Sequence, residues 1–101
     1  MIIMNAATQS IVDKSQYVAR VSLTTGQGSG VIGRWAAAEG IKTVVTMVAD
    51  YGPGLDAEAA FKKIYTRGGG EVLETIRTPL NSPDFGPFVQ RIKDIKPDAV
   101  F

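Results

Sequence analysis

The chain has 101 residues, 45% of them apolar and 21% charged, with a net charge of +1. That is enough length for one domain with a modest core, and the balance leaves no electrostatic footprint for nucleic acid or an acidic membrane surface. Cysteine and histidine are both absent, which excludes a disulfide scaffold, a thiolate metal site, a cysteine nucleophile and a Ser-His-Asp site, and no segment reaches the ~20 apolar residues of a membrane span.

Residues 1–4 read as a short buried strand or its tail, without the positive region and long apolar run of a signal peptide. Residues 5–16 are polar and turn-rich. Tyr17 to Leu23 alternates and is β-branched, so it reads as extended chain. A helix follows from Thr24 or Gln27 to about Glu39, with Val31, Ile32, Trp35 and Ala36 on its core face and Gly40 as its terminating glycine. The unbroken apolar run Thr43–Ala49 fits a strand covered on both faces, hence a parallel sheet. Asp50-Tyr51 then stands at the carboxyl end of a buried strand, where open α/β sheets bind their ligands, and a tyrosine there can pack its ring on a solute and hydrogen-bond through its hydroxyl.

Gly52-Pro53-Gly54 reads as a turn into a helix from about Leu55 to Thr66, with Leu55, Ala59, Phe61 and Ile64 facing the core and Gly68-Gly69-Gly70 ending it. Asp56 and Glu58 suit the first turn of that helix, and Lys62, Lys63 and Arg67 its solvated face. Glu71–Thr78 is the next strand. Ser82 offers an N-cap, Pro83 a first helical position and Asp84 a charge favourable to the dipole of a third helix. That helix carries Phe85, Phe88, Val89, Ile92 and Ile95 and stops at Pro97, after which Asp98–Phe101 begins another strand. Short strands alternating with helices of this length predict βαβ units: an α/β fold with a parallel sheet and helices on both faces. Because the chain stops as a strand begins, it reads as a piece of a longer protein whose cut sheet edge favours self-association. Arg20, in an otherwise apolar stretch, is expected to pair with a carboxylate.

Gly28-Ser29-Gly30-Val31-Ile32-Gly33 matches G-x-G-x-x-G, and Asp50 lies 20 residues past Gly30. This is the outline of a dinucleotide fingerprint, whose glycines let pyrophosphate sit on a helix N-terminus. Against it stand Arg20 in the preceding strand and Thr24 to Gln27 where a tight turn belongs. The alternative is that these small residues let the helix lie close to neighbouring backbone.

Taken in order, Ala6-Ala7-Thr8, Tyr17-Val18-Ala19-Arg20-Val21-Ser22, Gln27-Gly28, Asp50-Tyr51-Gly52-Pro53-Gly54-Leu55, Gly69-Gly70-Glu71-Val72, Asp84-Phe85 and Lys96-Pro97-Asp98-Ala99-Val100 give the chain its likeness to a known family. It resembles the branched-chain amino-acid-binding type of periplasmic substrate-binding protein, the solute receptor of ABC importers. The resemblance implies a two-lobed α/β protein with residues 1–22 as the tail of the first lobe and the interlobe crossover, and residues 23–101 as part of the second lobe. It implies a periplasmic solute-binding component with no catalytic residues, metal or cofactor, which takes an amino acid or related small carboxylate and hands it to an ABC permease.

Carried over by position, Ala6 and Thr8 match residues that hold the solute's charged groups, Ala6 through its backbone and Thr8 through its hydroxyl and amide. Ala7 contributes backbone shape between them. Tyr51 matches an aromatic that closes over the solute from the second lobe. Asn5 departs from the small residue of the family, and Asp50 is a further candidate partner for a solute ammonium. The alternatives from other classes are a dinucleotide-binding domain of a dehydrogenase, using Gly28, Gly30, Gly33 and Asp50, and the ligand-sensing domain of a receptor.

Overall fold

The unbroken apolar run is strand β3, Thr43–Ala49, and it is the middle strand of the main sheet. The computed structural model describes residues 1–81 and 84–101, so the helix cap expected at Ser82 and Pro83 lies outside the described residues. Strand β4, Glu71–Thr78, runs parallel to β3 on one side, and the short strand β5, Ala99–Val100, runs parallel on the other. The β3–β4 register pairs Thr43 with Glu71 and Ala49 with Thr78, with an irregularity between Val44 and Val45. A separate two-stranded sheet joins β1, Ile2–Ile3, in parallel to β2, Ala19–Arg20. Between them the polar stretch is not plain loop: Gln9–Lys14 forms a 3-10 helix.

Helix α1 spans Thr25–Ala38, α2 Gly52–Arg67 and α3 Gly86–Ile95. Alternation along β4 shows how α2 and α3 are placed. Thr75 and Arg77 reach α2, where Lys62 Nζ donates to Thr75 Oγ1 at 3.1 Å and the Arg77 guanidinium donates to both Glu58 oxygens at 3.1 and 3.2 Å. Glu74, on the other side of the strand, pairs with Arg91 of α3. Successive strand residues point to opposite faces, so α2 and α3 cover opposite faces of the sheet. The expected α/β architecture with a parallel sheet is the observed one.

The core is centred on Ala36, Val44, Phe61 and Tyr65. Phe61 stacks on Tyr65 at a centroid distance of 5.2 Å and on Phe101 at 4.1 Å. The Tyr65 hydroxyl donates to the Ile41 carbonyl at 2.7 Å, and burial, with Asp98 nearby, raises its pKa. Several expected faces are corrected here. Trp35 is 55% exposed, with Val31 and Ile32 also exposed, and the buried residues of α1 are Ser29, Gly33 and Ala36. On α2 the buried residues are Glu58, Phe61 and Tyr65, while Leu55 and Ala59 lie at the surface. Gly52-Pro53-Gly54 is the first turn of α2 itself rather than a turn before it.

One close approach accounts for both helix faces. A Cβ built on Gly33 would sit 3.0 Å from the Phe61 carbonyl oxygen and 3.3 Å from the Tyr65 nitrogen, whereas one on Gly30 would meet only Ile64 Cγ1 at 3.6 Å. The helices approach too closely at Gly33 for a larger side chain, so the small stripe turns inward and Trp35 turns out. Alanine in a helix interior is favoured over glycine by up to ~1 kcal/mol, and overpacking costs about 1–3 kcal/mol. Gly30→Ala is therefore expected to stabilise and Gly33→Ala to destabilise in urea titration. Equal stabilisation by both would contradict the close contact.

Asp98 fastens β5 to the sheet. Its carboxylate accepts the backbone N–H groups of Lys42 at 3.2 Å and Thr43 at 3.0 Å, while its own N–H donates to Thr43 Oγ1 at 3.0 Å. The Thr43 N–H is the main cause of a carboxyl pKa below the ordinary value of 3.8. A lowered folded-state pKa adds stability that is present above the unfolded pKa and lost as pH falls through the folded one. Acid titration of Tm is expected to show this loss below about pH 4, and Asp98→Asn to be less stable at neutral pH with a flatter acid limb.

Candidate functional site

The carboxyl ends of β3 and β4 open onto the start of α2. Asp50 donates its N–H to the Thr78 carbonyl at 2.8 Å, and Tyr51 donates its own to the Ala49 carbonyl at 2.9 Å. Tyr51 is the extended N-cap residue of α2, and its carbonyl accepts from the Leu55 N–H at 3.0 Å. Its backbone thus serves the helix while its side chain is 47% exposed. Gly54 makes this tight entry possible, since a Cβ there would lie 2.0 Å from the Ala49 carbonyl oxygen.

The segment Ala6-Ala7-Thr8 lies between β1 and the 3-10 helix, far from Tyr51 in sequence, yet the fold brings it to the same place. Thr8 packs on Gly52: a Cβ on that glycine would lie 3.2 Å from Thr8 Cγ2 and 3.3 Å from its Oγ1. The next N–H, of Gln9, donates to Asp56 Oδ2 near the start of α2 at 2.7 Å. The Ala7 carbonyl accepts from the Thr25 N–H at 3.1 Å and the Thr25 hydroxyl at 3.4 Å, at the start of α1. There a capping box holds the helix end, with the Gln27 N–H donating to Thr24 Oγ1 and the Thr24 N–H to Gln27 Oε1. Two helix N-termini therefore converge on Ala7-Thr8-Gln9, a setting favourable to negative charge.

Among the described residues, Arg20 is not paired with a carboxylate as its sequence context suggested. Its guanidinium donates to the carbonyls of Ala6 and Thr8. Nothing in the sequence ties Arg20 to this segment beyond its oddity in an apolar stretch, and Thr25 carried no functional signal either. Asp50 is exposed beside Tyr51. Glu58 is only 6% exposed and bound to Arg77, whose pKa it raises through their hydrogen bond, so it belongs to the fold. An open groove of about 760 Å³, lined by Ser10, Gly30, Arg34, Lys63 and Arg67 among others, involves none of Ala6, Ala7, Thr8 and Tyr51. The G-x-G-x-x-G lies inside α1 past its first turn, and Gly30 and Gly33 face α2. Gly30 and Gly33 serve helix packing, while Gly28 faces open space.

Comparison with known proteins matches residues 2–101 to the model of a family described as periplasmic binding protein. The chain belongs to the periplasmic binding protein family. It is 56% identical over all 101 residues to Leu/Ile/Val-binding protein homolog 6 of Brucella abortus (strain 2308), and spans 26% of that protein's length. Among solved structures, it is 54% identical, with a TM-score of 0.91, to a solute-binding protein of an ABC transporter from Rhodopseudomonas palustris BisB5 in complex with 3,4-dihydroxybenzoic acid. That alignment covers 99% of this chain and 28% of the other. A second R. palustris solute-binding protein, in complex with 4-hydroxybenzoate, is 48% identical with a TM-score of 0.93, over 100% of this chain and 27% of the other.

Proposed function

We propose that this chain forms the interlobe region and part of the second lobe of a periplasmic solute-binding protein, which takes a small carboxylate and delivers it to an ABC permease without chemical change. The observation that carries this reading is the meeting of Thr8 with Gly52 beside a half-exposed Tyr51 at the carboxyl end of a parallel sheet. The separate β1–β2 and β4–β3–β5 sheets support a boundary near residue 22. Ala6, Ala7 and Thr8 would supply backbone donors and the Thr8 hydroxyl to the solute carboxylate, and Tyr51 would pack on the body of the solute. Closure of the lobes would then follow from contacts made only in the closed state.

Within that class we favour a small aromatic acid over a branched-chain amino acid. Both share the carboxylate; the 56% identical relative is a Leu/Ile/Val-binding homolog by name, whereas the relatives at 54% and 48% have structures that hold 3,4-dihydroxybenzoic acid and 4-hydroxybenzoate themselves, which supports the aromatic acid. Isothermal titration of the full-length protein with 4-hydroxybenzoate, 3,4-dihydroxybenzoate and leucine tests the reading. Saturable binding of one of the aromatic acids, weaker for leucine, is expected, and binding of none of the three would overturn it. Hydrogen bonds to charged groups contribute about 1.5–3 kcal/mol, so Thr8→Val is expected to weaken the bound acid by roughly tenfold to a hundredfold.

A further inference from the structure

We propose that Arg20 is a positioning residue that makes the site select an anionic solute over its neutral analogue. The inference rests on the reading above, in which Ala6-Ala7-Thr8 holds a carboxylate. Arg20 lies in β2, outside that segment, and the two arms of its guanidinium grip the carbonyls of Ala6 and Thr8, two residues apart. A planar fork suits such a paired contact, and a lysine cannot reproduce it. With Thr25 on the Ala7 carbonyl, all three carbonyls of the segment are turned to donors of the protein.

The N–H groups have a different fate. Among the described residues, neither the Ala7 N–H nor the Thr8 N–H donates to a protein acceptor. The Ala7 N–H shares its peptide unit with the Ala6 carbonyl, and hydrogen bonds polarise one another along such chains. A cation on that carbonyl therefore makes the Ala7 N–H a stronger donor, and the neighbouring unit offers a consistent sign. There Arg20 holds the Thr8 carbonyl while the Gln9 N–H of the same peptide donates to the Asp56 carboxylate at 2.7 Å.

The charge is also uncompensated. Among the described residues the ion pairs join Lys62 and Arg77 to Glu58 and Arg91 to Glu74, and none involves Arg20. Arg20 is half-buried, so solvent screens it less than a surface cation. A carboxylate arriving at the free N–H groups gains from that charge, whereas a carboxamide of the same shape does not.

The test compares 4-hydroxybenzoate with 4-hydroxybenzamide, or leucine with leucinamide if leucine is the acid bound, on the full-length protein and its Arg20→Gln and Arg20→Lys variants. Arg20→Gln is expected to cut the acid-to-amide affinity ratio by about tenfold or more, mainly through lost acid affinity. Arg20→Lys keeps the charge without the fork and is expected to fall between. A ratio unchanged in folded variants overturns the proposal, because a merely structural role would weaken acid and amide alike. Should neither variant fold, the Arg20 N–H resonances of the wild-type protein decide. They are expected to exchange slowly and to shift with the acid but not the amide, and resonances indifferent to both overturn it. Thr8→Val separates this from the underlying reading: unchanged acid affinity there sinks the site and Arg20's role together, while weakened affinity beside indifferent Arg20 variants sinks only Arg20's role.

Discussion

Gly54→Ala is expected to lower the stability of the protein by about 3 kcal/mol or more, at the upper end of overpacking costs. The added methyl would lie 2.0 Å from the Ala49 carbonyl oxygen and 3.1 Å from the Ala49 carbonyl carbon. Both belong to backbone at the end of β3, where Ala49 is paired with Thr78 of β4, so they cannot swing away as a flexible side chain would. The helix-propensity gain of alanine over glycine, up to ~1 kcal/mol, is too small to offset this. For a domain of this size the loss corresponds to a drop in Tm of roughly 12 °C or more, readable by calorimetry or circular dichroism. Relief of the clash would move the start of α2, and with it Tyr51 and Gly52, so solute affinity should fall with stability. A Gly54→Ala protein that melts with the wild type would show that α2 does not enter against Ala49.

Tyr51→Ala is expected to do the reverse, costing affinity while leaving the fold nearly intact. The ring is half exposed, and the contributions of Tyr51 to the helix come from its backbone, which alanine keeps. If the ring packs on the solute, its removal forfeits about 1.5–3 kcal/mol, which is roughly tenfold to a hundredfold in Kd. Tyr51→Phe retains the ring and should recover most of that, the remainder being the share of the hydroxyl. Titration of the full-length protein alongside its melting curve checks both parts. Unchanged affinity in Tyr51→Ala would remove Tyr51 from the site.

Contrasts between particular residues show where sequence reasoning reached and where it stopped. Thr43–Ala49 was legible to the residue because a strand covered on both faces must be continuously apolar or β-branched, and Glu71–Thr78 because its β-branched residues follow the glycines that end α2. Tyr51 was legible as a strand-end residue for the same reason. Arg20 was conspicuous, but its partners are peptide carbonyls, which every residue possesses, so no pattern of side chains could name them. Ala6 and Ala7 carry no side-chain signal for any role and entered through the family likeness alone. Glu58 read as a surface charge in the first turn of a helix, yet it is buried by the guanidinium of Arg77, 19 residues away.

The bounds of β3 and β4 and the parallel sheet were legible in the sequence, since hydrophobic pattern and glycine positions act over a few residues, whereas the start of α2 at Gly52 and the 3-10 helix Gln9–Lys14 were not. Which face of each helix is buried was decided only by the tertiary structure. Val31, Ile32 and Trp35 are the more apolar choice on α1, but Gly33 and Ala36 face α2 because the Phe61 and Tyr65 backbone comes too close for anything larger. The meeting of Thr8 with Gly52 was likewise a tertiary outcome. It depends on where two chain segments 44 residues apart come to rest, and long-range packing of that kind leaves no local trace in either segment.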